Sequence, residues 1–508
     1  MVFSSHIFLF YFLPLTLLLY YAVPVRGRNV VLTLASYVFY GWANPLFVLL
    51  MLLSTLLDFV CGLLLVSGLP RDPDGDLPLL NSPGRSLRQK LALCCSLAGN
   101  LGLLGFFKYW NFGAEVLQET SNRLGWSWFE TGEVLQVVLP LGISFYTFQS
   151  MSYCIDVYRG EARAIRSVWD FACFVAMFPQ LVAGPILRFH DVSLQLQPRV
   201  HSVERMTRGI CCFSLGLAKK VLIADGLSLP VDFVFAADAP SMSAAWLGAV
   251  AWACQISFDF SGSSAMALGR GWMLGFDFCA NFDSPYRAAG LADFWRRWHM
   301  SLSGWLRDYL YIPLGGNRRG GWRTSWNLLL VMLLGGLWHG AAWTYIVWGG
   351  LHGVLLLLER LLRGSRKSQQ PDSAASGGLR RLLLTAGTFG LVCLTGVPFR
   401  ADSLRQAGLL LSAMLGFGRQ DGSTVIVDAV VRQPWHVGML CVGAVIVWLA
   451  PQQSRQFVSR LSGGRVVVCV ALLWLSLLQL TLQEPQPCIY FMFGGAGRCI
   501  QRLTSRAD

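Results

Sequence analysis

NLLLVMLLGGLWHGAAWTYIVWGGLHGVLLLLERLL (327–362) holds one acidic and one basic residue, Glu359 and Arg360, and both lie near its end. It divides into two apolar runs, Trp326–Trp343 and Tyr345–Leu362, joined by almost nothing. Each run approaches the ~20 apolar residues that an α-helix needs to cross ~30 Å of hydrocarbon. Only helices or closed barrels can span lipid, because every backbone polar group must be satisfied internally. The stretch therefore predicts a helical hairpin in a membrane. It also holds two histidines, His339 and His352, well inside the apolar part.

The rest of the chain repeats this pattern. Of 508 residues, 54% are apolar and 14% charged, against roughly 25% charged in a typical soluble domain. We therefore expect an all-α polytopic membrane protein, a single membrane-embedded domain over 1–508, with about eleven crossings plus re-entrant and interfacial helices. The net charge of +13 does not point to nucleic acid, because Lys and Arg sit in short loops between apolar runs, the pattern that orients membrane proteins. Most of the 14 Cys lie inside apolar stretches and read as small buried hydrophobes. No His, Cys and carboxylate residues have metal-ligand spacing in the sequence, so no metal is expected.

Basic loops set the orientation. Ile7–Val23 has no basic residues before it and no small-residue cleavage site after it, so it reads as a retained helix rather than a signal peptide. It ends at Arg26 and Arg28. Val30–Val66, interrupted at 41–45, reads as two crossings that return to a second basic loop with Arg71, Arg85, Arg88 and Lys90. Leu91–Phe107 leads out, and about Val134–Val157 leads back to Arg159, Arg163 and Arg166. This alternation places the N-terminus outside, on the face opposite the cytoplasm. Pro179, Gly184 and Pro185 interrupt Phe171–Leu187, residues 188–208 read as interfacial, and the Gly/Ser-rich 261–271 reads as a break in a helix. The Ser/Gly/Arg-rich 363–381 reads as a cytoplasmic linker loop, followed by three or four more crossings.

Three of the seven His residues occupy telling positions. His339 lies 12 residues past Asn327, roughly 18 Å along a helix at 1.5 Å per residue and so about half way through a crossing of ~30 Å, and Gly335, Gly336, Gly340, Ala341 and Ala342 surround it with little side-chain volume. An ionisable group at membrane depth is a functional candidate, and a neutral imidazole suits a general base; the competing reading is a hydrogen bond to a neighbouring helix. His299 lies in FWRRWHMSLSGWLRDYLYIPLGG (294–316), where Phe294, Trp298, Leu302, Trp305, Leu306 and Tyr309 form a helical stripe. On composition this is an interfacial helix with Trp anchors. The sharper reading makes Arg296 and Arg297, with Trp298, the site for an anionic acyl donor. His352 in WGGLHG (348–353) reads as a structural hydrogen-bonding residue. Asn327, Trp338 and Gly340 complete the candidate set as supporting residues.

These two segments, with PLGISFYTFQSMSYCIDVYRG (140–160), FPQLVAGPI (178–186), SFDFSGSSAMALG (257–269), the start MVFSS and the late CIYFMF (488–493), resemble the membrane-bound O-acyltransferase (MBOAT) family. More narrowly, they resemble its branch of alginate and cellulose O-acetylation proteins, in order from residue 1 to about 495. The resemblance implies a ring of helices around a thin centre. It makes His339 the family's invariant His and His299 its second His, both catalytic. It also implies acetyl-CoA as a donor substrate with no tightly bound cofactor, and an exopolysaccharide or a periplasmic acetyl-transfer protein as acceptor. Membrane lipid and other polysaccharide acetylation and secretion proteins are the implied surroundings. Two positions depart from the family's Ser-Gly-Tyr-Ser-Asp-Met-Ala stretch: Ser263 stands for the Tyr and Ala265 for the Asp. Two other functions fit parts of this pattern, D-alanyl transfer to teichoic acid within the same fold, and an export channel or transporter outside it.

Overall fold

A computed structural model describes residues 2–42, 44–70, 76–80, 84–126, 135–196, 199–363, 378–418, 422–449, 453–482 and 486–489. No strand occurs among them. Five helices are long and apolar enough to cross a membrane, and a sixth if the bent pair Thr424–Val431 and Pro434–Leu449 is one span. The expected eleven is not reached by that measure, because several other helices are short or interrupted by polar residues. Most of the 363–381 linker falls on 364–377, outside the described residues. The chain divides into two compact units, Met1–Arg205 with Gly271–Phe278, and Met206–Arg270 with Cys279–Ile489.

The first unit is organised around a buried carboxylate. Leu46–Val66, Leu87–Leu124 and Ile143–Arg159 are helices, and Asp58 is fully buried among them. Its oxygens accept from Ser96 Oγ at 2.5 Å, from Asn100 Nδ2 at 2.7 Å and from Ser150 Oγ. Burying an unpaired carboxylate is very costly, so these donors fix which helix faces meet. Gly62 adds a close approach, because a side chain there would strike the Tyr153 ring. The Leu87–Leu124 helix runs well beyond the expected Leu91–Phe107, starting at a capping box in which Ser86 and Gln89 satisfy each other's backbone N–H.

The second unit corrects one expectation. Residues 261–271 do not break a helix; they continue the 32-residue helix Met242–Met273. Their small side chains serve packing. A Cβ on Gly262 would lie 2.7 Å from the Gly216 carbonyl, and one on Gly269 would lie 2.6 Å from that of Gly209. Gly216 and Gly209 belong to the helix Val203–Ala218, so the two backbones touch along a stripe of small residues, as membrane helices often do. Buried Lys220, just past that helix, lies 2.6 Å from Asp225 and 2.7 Å from Asp259. Asp259 also accepts from Cys488 Sγ and the Ile489 N–H, both at 2.9 Å, so the charge cluster ties the chain's late segment to this helix.

Candidate active site

The predicted hairpin is present, as helices Gly321–His339 and Trp343–Arg363. The glycines explain its closeness. A Cβ on Gly336 would strike the Tyr345 carbonyl, and one on Gly349 would strike that of Met332. His339 is not half way along its helix. The helix starts six residues before Asn327, and His339 is its last residue. Gly340 then turns to extended backbone, and any side chain on it would collide with the Tyr345 ring. His339 is 7% exposed, with its ring 5.0 Å from that of Trp338, 5.2 Å from Trp348 and 5.1 Å from Phe399, all edge-on.

The helical stripe expected over 294–309 is interrupted at the His it carries. Helices Leu291–Arg297 and Met300–Leu306 flank Trp298 and His299, and His299 has left-handed backbone, φ 44° and ψ 53°. That conformation is unfavourable for a residue with a Cβ. It is held by the segment 281–283, where the Asn281 carbonyl accepts from the Met300 N–H at 2.9 Å and the Asp283 N–H donates to the Arg297 carbonyl at 2.9 Å. The His299 ring is fully buried, edge-on to Phe260 at 4.6 Å and 5.8 Å from Trp338. Its centroid lies 6.4 Å from that of His339. The two imidazoles, 40 residues apart in sequence, thus share one aromatic chamber.

The remaining candidates separate. Arg296 is 54% exposed, with one loose ion pair to Asp293 at 3.6 Å. Arg297 is 31% exposed and is held by Asp293 at 3.1 Å and by the Asp283 carbonyl at 3.3 Å. Trp298 is buried in a stack with Phe294 and Tyr286, so it supports the loop from inside. Asn327 Nδ2 donates to the Gly316 carbonyl at 3.2 Å and steadies the turn before the hairpin. His352 Nδ1 accepts from the Trp295 indole at 3.3 Å. Ser263 and Ala265 are buried in the Met242–Met273 helix, with Ser263 Oγ donating to Cys488 Sγ at 3.5 Å and the Ala265 carbonyl accepting from Cys212 Sγ at 3.4 Å.

Sequence reading missed Asn281, Trp348 and Phe399, which lie against the two His rings. Only the aromatic pair left a trace, as Trp and Phe residues inside apolar runs; Asn281 sits in a loop with no periodicity. Asp156, Glu161 and His190 also come together in space, with potential ligand atoms within 4.8 Å of one another. His190 is already committed there: Asp156 Oδ2 takes both its N–H and its Nδ1, each at 2.9 Å, and Asp191 lies 3.2 Å from Nε2. The imidazole is thus held between the carboxylates of Asp156 and Asp191.

Comparison with known proteins agrees with this architecture. The family model for MBOAT, the membrane-bound O-acyltransferase family, matches residues 161–376, which include both His residues of the chamber. The chain is 45% identical over 418 residues to a probable alginate O-acetylase AlgI of Pseudomonas putida, covering 82% of this chain and 81% of that protein. It is 46% identical to the corresponding protein of Pseudomonas aeruginosa, covering 82% and 75%. A peptidoglycan O-acetyltransferase of Helicobacter pylori is 34% identical over 450 residues, covering 82% and 80%.

Proposed function

The chain belongs to the membrane-bound O-acyltransferase family, and on that premise we propose that it moves an acetyl group from a cytoplasmic donor towards exopolysaccharide hydroxyls of the alginate or cellulose type on the periplasmic side. It is a multi-pass membrane enzyme, an O-acetyltransferase. The observation that carries the finer reading is the pair of buried imidazoles, His299 and His339, 6.4 Å apart in one aromatic chamber.

The proposed donor is acetyl-CoA. The acceptor hydroxyl oxygen attacks the thioester carbonyl carbon while His339 takes the hydroxyl proton. The new C–O bond forms, the C–S bond breaks, and the proton returns from His339 to the departing sulfur. General-base help of this kind contributes typically ~10²–10⁴-fold. No resident cofactor is needed, because the thioester already carries an activated acetyl group. His299 lines the same chamber. Arg296, half exposed beside it in sequence, is the better placed of the two arginines to meet an anionic donor. The acceptor is the polymer itself or a hydroxyl of a periplasmic acetyl-transfer protein, and the membrane is the bacterial inner membrane with the N-terminus periplasmic.

The test is the O-acetyl content of the secreted polymer. Deleting the gene should abolish it, and complementation with His339→Ala should not restore it although the protein inserts normally. Unchanged acetyl content in the deletion strain would remove the proposal.

A further inference from the structure

We propose that Asn281 is a positioning residue that fixes the tautomer of His299, placing the proton on Nδ1 and leaving Nε2 as a proton acceptor in the chamber. The inference rests on the reading that His299 belongs to the active site.

The argument begins with a group that has no choice. The Ser301 backbone N–H can only donate, and it lies 3.2 Å from one end of the Asn281 side-chain amide. That end must therefore be the carbonyl oxygen Oδ1, since the NH₂ would set donor against donor. The same oxygen accepts from Ser301 Oγ at 2.9 Å. His299 Nδ1 lies 3.1 Å from it, and an oxygen can only accept, so Nδ1 carries the hydrogen. A neutral imidazole holds one N–H, which makes Nε2 the lone-pair nitrogen. The ring geometry turns Nε2 away from Asn281.

Burial makes this orientation secure. Asn281 is 1% exposed and His299 fully buried, so water is poorly placed to substitute for either partner. The amide nitrogen of Asn281 has no hydrogen-bond partner among the described residues, an uncommon state for a buried group. The fold keeps the Oδ1 contacts and leaves the other end unmatched. The backbone clamp is separate: the Met300 N–H bonds the main-chain carbonyl of residue 281, so a side-chain change there leaves the left-handed turn at His299 held. In an imidazole, the hydrogen bond made by one ring nitrogen decides which of the two carries the proton.

The direct measurement is solid-state NMR of the full chain in lipid, with ¹⁵N-labelled histidine and His299 assigned by its loss in His299→Gln. Expected is a protonated Nδ1 and an unprotonated Nε2; the opposite tautomer overturns the proposal. Asn281→Leu should mix or reverse the tautomers and lower kcat by on the order of 10²-fold, the low end of what a positioned acid–base group contributes, with little change in donor KM. Asn281→Asp, which still accepts from Nδ1 and adds a negative charge, should recover most of kcat and move the acidic limb of its pH profile upward. Unchanged tautomer and kcat in Asn281→Leu would also overturn the proposal. If that variant does not fold, the wild-type spectrum decides. The turnover of His299→Gln reports separately on whether His299 takes part in the reaction at all.

Discussion

Arg296 and Arg297 are adjacent, yet their surroundings assign them different tasks. Arg296 reaches outward with a weak pair to Asp293, while Arg297 holds the carbonyl of Asp283 and so the segment that shapes the His299 turn. Arg296→Ala should raise the donor KM several-fold with kcat nearly kept, the mark of lost binding alone. Arg297→Ala should lower kcat and thermal stability together. Steady-state kinetics and unfolding temperatures of the purified variants check both. His190, outside the membrane-crossing segments, gives a pH prediction. Its hydrogen bonds to Asp156 and Asp191 raise its pKa to about 10, above the ~6.5 of an unfolded chain. Its stabilising contribution is therefore complete below about pH 6.5 and is lost as pH rises through about 10. Unfolding temperature should fall between about pH 9 and 11, and His190→Asn should show a smaller fall over that range.

At the scale of elements, the hairpin around His339 depends on glycines whose missing side chains leave room for backbone. Gly336→Ala or Gly349→Ala would drive a methyl group into a carbonyl of the facing helix, a form of overpacking that costs about 1–3 kcal/mol. Gly350→Ala meets only Leu333 Cδ2, at 3.6 Å, and should be tolerated. Unfolding temperatures of the three variants should separate accordingly; equal loss in all three would mean the close approach is unimportant. This hairpin was legible in sequence, because two adjacent apolar runs with charges only near the end have one simple solution in lipid. The stretch 261–271 was misread for a related reason. Gly and Ser weaken a helix in water, but between two helices they let backbones meet, and sequence alone does not say which helix lies opposite. The interruption at His299 was likewise hidden: an unbroken apolar stripe predicts a continuous helix, and the loop that overrides it, 281–283, gives no periodic signal.

For the whole molecule, charge placement carries the topology. A cysteine at Ser373, in the basic 363–381 linker, should react with an impermeant reagent only once the cytoplasmic face is opened; labelling in intact spheroplasts would reverse the orientation. Membrane character and the hairpin were readable because each is a repetition of hydrophobic pattern along the chain, and His339 stood out as a break in that pattern. The pairing of His339 with His299 was not, since it depends on how separate helices pack, and only the family resemblance suggested it. The central claim is that His339 performs the chemistry. Its most direct test is acetyl transfer by the purified protein in nanodiscs, measured over a range of acetyl-CoA concentrations. The account predicts that His339→Ala lowers turnover at least ~10²-fold at every donor concentration, without rescue at saturation. Turnover near the wild-type value in that variant would contradict it.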